Sequence, residues 1–381
     1  MSEWRDHSIA AQFAALPDPR AERGKRHELL DILVIAICAV ICGADNWVEV
    51  EMFGKAKAEW FKRFLALPHG IPSHDTFGDV FARLDPEQFQ ESFVRWVREI
   101  SELTAGQVIA IDGKTLRRSH DGLLGKAAIA MVSAWASRDH LVLGQVKVNE
   151  KSNEITAIPE LLRVLAVQGC IVSIDAIGCQ TEIADAIVAK QGDYLLAVKA
   201  NQGQLFADVQ ALFALEFAEA QPFQWVEHDY QRQVDKGHGR VEIRECWAVT
   251  DPEYLDYIRE HKDWPALQSI ILVRAERRNG EHITQQDRYY ISSLKGDAAT
   301  FMQAVRSHWG IENSLHWVLD LAFREDESRV RKDNAAQNLA ILRHMALNLL
   351  KNEKTARVGI HGKRLRAGWD HDYLLRLLAG A

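Results

Sequence analysis

Two aspartates in this 381-residue chain leave the ends of short apolar runs. Asp112 follows Val108 to Ile111, in Ile-Asp-Gly-Lys, and Asp175 follows Cys170 to Ile174, in Ser-Ile-Asp-Ala-Ile-Gly. Such runs predict buried strands, and the C-terminal ends of strands are where open α/β sheets place their ligands. If the two strands are neighbours, both carboxylates point into one cleft. A lone Asp after a strand is ordinarily a cap or turn residue, so the pair carries more weight than either member. Two close carboxylates at neutral pH need a cation between them, and a hard divalent ion with oxygen ligands supplies it. Magnesium is the expected ion, with manganese able to substitute, because it takes one or two protein carboxylates and leaves positions for a phosphodiester.

Holding two such ions requires a third acid. Glu312 lies in His308-Trp309-Gly310-Ile311-Glu312-Asn313-Ser314-Leu315-His316-Trp317, on a predicted helix. His308, Glu312 and His316 recur every fourth residue and so share a helical face. A zinc stripe is the competing reading, but no known ligand spacing matches it. Asp320, Glu325, Asp326 and Glu327 compete with Glu312 for the role of third acid. Trp309 and Trp317 are expected in the core rather than stacked on bases.

Cations follow the first aspartate at once. Lys114, Arg117 and Arg118 suit phosphate chemistry better than sugar or peptide chemistry, and Gly113 would allow a close backbone approach. Lys199, Asn201 and Gln202 follow another strand and are candidates to border the same cleft. His238, Arg240 and Arg244 on a β-hairpin, and Arg306, His308, His316, Arg329 and Arg331, complete the set of candidate contacts to a phosphate-bearing substrate.

The elements that must position these groups change character along the chain. Residues 1–104 read as a helical N-terminal domain. Leu29 to Cys42 is a central apolar helix, Trp47 to Leu67 has helical spacing, and Ser73 and Asp85 are predicted N-caps of two more helices. The helix from Ser73 to Leu84 is a candidate for reading DNA, although nothing in it demands that role. Residues 105–202 read as three meandering strands, then helix, strand, helix and strand, which predicts a mixed sheet covered by helices. Residues 203–296 form a β-rich insertion behind one helix, with strands expected at Val241 to Val249, Ser269 to Arg274 and Asp287 to Ser292. Residues 297–350 return to helices, with one expected from Ala298 to Phe323 and another from Asn334 to Leu350. Residues 351–381 read as a basic, loop-rich tail that ends in a short helix, Tyr373 to Ala379.

Composition sets outer limits. The chain is 47% apolar and 26% charged, which excludes disorder and a coiled coil. Forty-six Lys and Arg stand against 53 Asp and Glu, a net charge of -7, so bulk charge does not make it a polycation. The balance is uneven, because Arg324 to Arg366 holds eleven basic and five acidic residues. Local basic surfaces around a metal-filled cleft are therefore expected. The longest apolar run, Ile32 to Ala44, falls short of the roughly 20 residues that span a bilayer. Met1 to Arg26 lacks the apolar stretch of a signal peptide. Five cysteines without paired spacing disfavour a disulfide framework or a structural zinc site, so a reducing cytoplasm is expected and no membrane partner is.

Read in order, these motifs carry a resemblance. Ala110 to Thr115, Ser173 to Ala176, Ala197 to Gln202, His238-Gly239-Arg240 with Glu242 and Arg244, His308 to Asn313, and Asp326 to Arg329 followed by Asn334-Ala335 come in sequence. Their order resembles the H-repeat-associated group of bacterial insertion-sequence DDE transposases over essentially the whole chain, including Pro72 to Phe77 in the helical N-terminal region. The resemblance implies an α/β fold with a ribonuclease H-like catalytic core, interrupted by a β-rich insertion before the last catalytic helix. It also implies that Asp112, Asp175 and Glu312 are the catalytic, metal-binding acids, that transposon terminal inverted repeats and target DNA are the partners, and that a homodimer forms on DNA. The location implied is the bacterial cytoplasm, on the nucleoid when DNA is bound. One departure stands out: Val305, His308 and Leu319 occupy positions where the wider family has Tyr, Arg and Lys, so those DNA-contact roles do not carry over.

The chemistry expected is two-metal phosphoryl transfer: cleavage at transposon ends, then joining of the freed 3'-hydroxyl to target DNA. No nucleophile-elbow, Walker A or His-Glu-x-x-His signature suggests another route. Two alternatives remain, a DNA-binding protein on the same fold without catalysis and a structure-selective nuclease that cleaves without joining.

Overall fold

The computed structural model describes residues 9–21, 25–101, 103–120, 127–148, 153–237 and 239–379. It is a mixed α/β protein whose chain sorts into two compact units. The first comprises residues 1–102, 113–151 and 312–381, and the second residues 103–112 and 152–311.

In the second unit, β1 (Val108–Leu116) pairs in parallel with β4 (Ile171–Ile174), which pairs in parallel with β5 (Asp193–Val198). Beyond β5 the sheet turns antiparallel through β9 (His282–Ser292), β8 (Ser269–Asn279), β7 (Arg240–Val249) and β6 (His228–Gly237). The β-rich stretch therefore extends the sheet from β5. Strand β6 was not anticipated, because His228-Asp-Tyr-Gln-Arg-Gln-Val-Asp-Lys-Gly237 has almost no apolar alternation. Nor was the helix Pro252–His261, although Asp251 caps it by accepting from the Glu253 N–H at 3.0 Å and Pro252 begins it. Helix Ala298–His308 covers part of this sheet, burying Phe301, Met302 and Val305 with Ile171, Cys246 and Ile271.

In the first unit, helix Leu29–Ile41 is buried on almost every side, as an all-round apolar helix must be. Helix Ala335–Asn352 packs against it. Helix His74–Arg83 starts where Ser73 accepts from the Thr76 N–H, and helix Pro86–Ile100 where Asp85 accepts from Glu87 and Gln88, as their sequences require. The expected single helix over Trp47 to Leu67 is instead two, Trp47–Ala56 and Ala58–Phe61. Strand β1 continues past Asp112 into this unit, which also holds the antiparallel pair β2 (Ile129–Ala136) and β3 (Leu141–Lys147). Asn348 ties β3 to helix Ala335–Asn352, accepting from the Val142 N–H at 2.8 Å and donating to its carbonyl at 2.9 Å.

The C-terminal residues are not loop-rich: they fold as helices Ile360–Trp369 and His371–Ala379. Arg343, Lys363 and Arg364 of the basic stretch are buried. Lys363 donates to the Leu350 carbonyl at 2.9 Å and Arg364 to the Val40 carbonyl at 2.9 Å, so they satisfy helix-end carbonyls instead of building a basic surface. No helix among the described residues is long and apolar enough to cross a membrane, and no disulfide joins the five cysteines.

Candidate active site

In the second unit the two aspartates stand side by side. The β1–β4 register pairs Ile111 with Ile174, so Asp112 and Asp175 are each one residue beyond that pair, on neighbouring parallel strands. One Asp175 oxygen accepts from the Ile177 N–H at 3.1 Å and starts the short turn Ala176–Gly178. Asn201 donates to the Ala176 carbonyl at 2.6 Å and Gln202 to the Cys179 carbonyl at 2.7 Å. These two residues brace the segment that carries Asp175, while Lys199 beside them is exposed. Sequence reasoning passed over Glu154, at the start of helix Glu154–Val164. Burial, and then the charge of Asp175, raise its carboxyl pKa above the ordinary value.

Gly178 closes this turn against β4. A Cβ there would overlap the Ile174 side chain and come within 3.1 Å of Ile158 Cδ1. Gly178→Ala is therefore expected to cost about 1–3 kcal/mol through overpacking, read as a lower urea midpoint. It should also slow catalysis, because the turn that must shift begins at Asp175.

In the first unit Glu312 opens a π-helical turn, Glu312–His316, followed by helix Trp317–Ala322. The α-helix before it ends at His308, so the four-residue spacing of His308, Glu312 and His316 does not lie on one continuous helix. π turns are rare and are frequently found at functional sites. Glu312 is half exposed, and its Oε2 lies 3.6 Å from Nδ1 of the buried His316. Burial lowers the His316 pKa, and Glu312 partly offsets this.

The competing acids each have a cationic partner. Lys114 pairs with Asp320 and lies 3.4 Å from Glu325 and 3.9 Å from Asp326. Arg117 reaches Asp326 at 3.2 Å, the buried Arg343 reaches Glu325 at 3.6 Å, and Arg324 holds Glu327. Among the described residues Glu312 has no lysine or arginine partner, so it is the acid of this group left open to an external cation. Lys114, expected at phosphate, lies with three acids, its side chain only 11% exposed.

Below this cluster sits His344, fully buried, its pKa pushed down to about 3 by burial and then by the charges of His316, Lys114 and Arg343. The folded protein thus keeps it neutral while the unfolded chain protonates near 6.5. Its stability contribution is complete above pH 6.5 and is lost as pH falls toward 3, at about 1.4 kcal/mol per pH unit. Urea unfolding at pH 6.5 and 5.5 should therefore show a smaller difference for His344→Asn than for the wild type. An equal difference would mean that His344 is already protonated in the fold.

The other proposed contacts are distributed. In the second unit Arg240 pairs with Glu242 at 3.0 Å, Arg244 bridges Asp235 at 2.5 Å and Glu242, and Arg306 lies 3.1 Å from Gln233 and 3.3 Å from Asp235. His308 is half-buried at the end of its helix, and His238 lies outside the described residues. In the first unit Arg331 donates to the Arg118 carbonyl at 3.0 Å, and the Arg118 and Arg329 side chains are exposed. The two tryptophans correct an expectation. Trp309 is 45% and Trp317 61% exposed, because helix Trp317–Ala322 buries Leu319 and Ala322 on its opposite side. The Arg288 guanidinium lies 4.8 Å from the Trp309 ring centroid.

The chain matches known proteins over nearly its whole length. A family model described as "Transposase DDE domain" matches residues 104–349, and the model of its associated domain matches residues 10–97. Two Escherichia coli proteins described as candidate transposases are similar over nearly the full length. YncI of strain O157:H7 is 41% identical over 98% of this chain and 94% of its own. The H repeat-associated YhhI of strain K12 is 41% identical over 98% of both. Among solved structures, a piggyBac transposase synaptic complex with hairpin DNA is similar at a TM-score of 0.40 and 11% identity, over 96% of this chain and 77% of that one.

Proposed function

Since the chain belongs to the DDE transposase family and is a DNA transposase, we propose that it cuts at transposon ends and joins the freed strands to target DNA with Asp112, Asp175 and Glu312 as its metal-binding acids. The observation that carries this reading is the parallel pairing of β1 with β4, which sets Asp112, within β1, at the position beside Asp175, just past the end of β4. Chain order supports the third: Asp112 and Glu312 stand at the two points where the chain passes from the second unit into the first. The core these residues occupy is ribonuclease H-like, built from residues 105–202 and 297–350. Residues 203–296 are its insertion, and residues 1–104 and 351–381 flank it.

The donor set suits a hard divalent ion. It consists of carboxylate oxygens, and among the described residues no lysine or arginine neutralises Glu312. When bound, a pair of magnesium or manganese ions would make water or a 3'-hydroxyl a better nucleophile and offset charge on the leaving oxygen. The chain's own part is to hold those oxygens still. The Asp175 carboxylate is fixed by the Ile177 N–H and by the turn that Asn201 and Gln202 brace. The Glu312 carboxylate rests beside a histidine whose burial keeps it neutral, so it is not drawn into a permanent ion pair. The substrates are terminal inverted repeats and target DNA, and the enzyme acts as a homodimer on DNA in the bacterial cytoplasm.

The test is an assay for joining. Protein, DNA ends carrying the flanking inverted repeats, a target plasmid and magnesium or manganese should give products in which end and target are covalently linked. Cleavage without joining would mark a nuclease, and binding without either would mark a DNA-binding protein that has lost catalysis.

A further inference from the structure

A groove of about 1090 Å3 lies in the second unit between helix Gly203–Ala218 and helix Pro252–His261, bordered by the turn that leads to Val226. Its lining has seven carboxylates and no lysine, arginine or histidine. Two of the acids are buried, and they differ. Glu216 is satisfied, accepting from the Phe223 N–H at 3.0 Å and from the Tyr254 hydroxyl at 2.6 Å. Asp208 is 8% exposed; one of its oxygens accepts from Gln204 at 2.8 Å, and Oδ2 is buried with no hydrogen-bond partner among the described residues. A buried carboxylate oxygen without a donor is costly unless something arrives to supply one. The same groove exposes large apolar surface: Trp225 is 87%, Leu215 64% and Tyr257 48% exposed.

We propose that this groove docks a basic segment of a partner protein, with a Lys or Arg side chain reaching Asp208 and apolar side chains lying along Leu215, Trp225 and Tyr257. The carboxylates repel nucleic acid, so this face is not used for the substrate. The exposed aromatic and aliphatic side chains fit a polypeptide better than a hydrated metal ion, and aromatic rings beside a carboxylate favour a guanidinium or ammonium group through cation–π attraction. A second copy of the chain has fewer basic side chains to offer than its count suggests, because Arg343, Lys363 and Arg364 lie in its own interior. The proposal is independent of the acidic triad, which shares no residue with the groove.

The test uses the full chain and a short labelled peptide that alternates Arg and Leu and carries one Trp, followed by fluorescence anisotropy. The peptide should bind, and replacing its arginines with citrulline should weaken it about tenfold or more, the loss expected for a charge-assisted hydrogen bond. Asp208→Asn and Trp225→Ala should each weaken binding by a similar factor. The rim substitution Glu253→Lys should weaken it most at low salt, where long-range attraction is greatest. Trp225→Ala and Glu253→Lys should keep the wild-type unfolding midpoint, Asp208→Asn should not lower it, and all three should keep the DNA cleavage rate, which separates loss of docking from misfolding. The proposal is overturned if the citrulline peptide binds as well as the arginine peptide, or if Asp208→Asn binds as the wild type does. It is also overturned if no peptide binds while Asp208→Asn abolishes self-association in sedimentation, which would make the occupant a second copy, or if magnesium or calcium binds the groove in the peptide's place.

Discussion

Asp112→Ala, Asp175→Ala and Glu312→Gln should each abolish DNA cleavage in magnesium while leaving the unfolding midpoint near that of the wild type. Removing a partner that merely supports a metal ligand costs about 10–100-fold, so losing a ligand itself should exceed about 100-fold. The losses should not add, because the three carboxylates act as one unit. Stability should hold for a structural reason. Glu312 is half exposed and, among the described residues, has no lysine or arginine partner, only a buried histidine beside it, so its carboxylate contributes little to the fold. Asp112 and Asp175 stand at neighbouring positions on paired strands, Asp112 within β1 and Asp175 just past β4. Asp175→Ala carries a modest structural cost, the cap to Ile177, which at about 1 kcal/mol is too small to unfold the protein. Asp175→Asn keeps an acceptor for that cap and should be equally inactive. The measurement is the cleavage rate of end-containing DNA beside a urea unfolding curve. A folded variant that cuts at the wild-type rate would remove its residue from the triad.

Lys114→Met is expected to have the largest effect on stability. The ammonium group pairs with Asp320 and lies near Glu325 and Asp326, while only 11% of the side chain is exposed. Taking it away leaves Asp320 without its cation, while Glu325 keeps Arg343 and Asp326 keeps Arg117. Breaking a buried ion pair from one side costs about 3–5 kcal/mol, so the variant should unfold at far lower urea. Lys114→Met combined with Asp320→Asn should recover part of that loss, since the uncompensated charge is then reduced. The same pair of variants separates a structural role from a DNA contact. A phosphate contact would lower the salt dependence of DNA binding by about one ion on substitution, whereas the pairing seen here predicts an unchanged slope for whatever protein remains folded.

The parts of this site that were legible in the sequence are those that depend on local pattern. Both apolar runs form buried strands where expected, and Asp175 ends its strand, but Asp112 does not: β1 runs on through it to Leu116, because the polar continuation is also paired into the strand. Ser73 and Asp85 cap the helices they were expected to cap, because an N-cap is a property of the few residues after it. What escaped depends on distant partners. The π turn at Glu312 has no periodic signature, and a continuous helix from Ala298 to Phe323 fitted the sequence equally well. Strand β6 is polar on both faces and is held by its ladder to β7, not by an apolar stripe. The basic count over Arg324 to Arg366 suggested a surface, but Arg343, Lys363 and Arg364 are drawn inward to an acid and to helix-end carbonyls. Charge counted along a chain does not say which charges are consumed inside it.

The account's central claim is that Asp112, Asp175 and Glu312 hold the metal used on DNA, and manganese occupancy tests it most directly. Electron paramagnetic resonance of the protein bound to transposon-end DNA, titrated with Mn2+, should show a pair of exchange-coupled ions in the wild type. That signal should be lost in Asp112→Asn, Asp175→Asn and Glu312→Gln even though DNA is still bound. A wild-type manganese signal that persists unchanged in all three folded variants would contradict the claim.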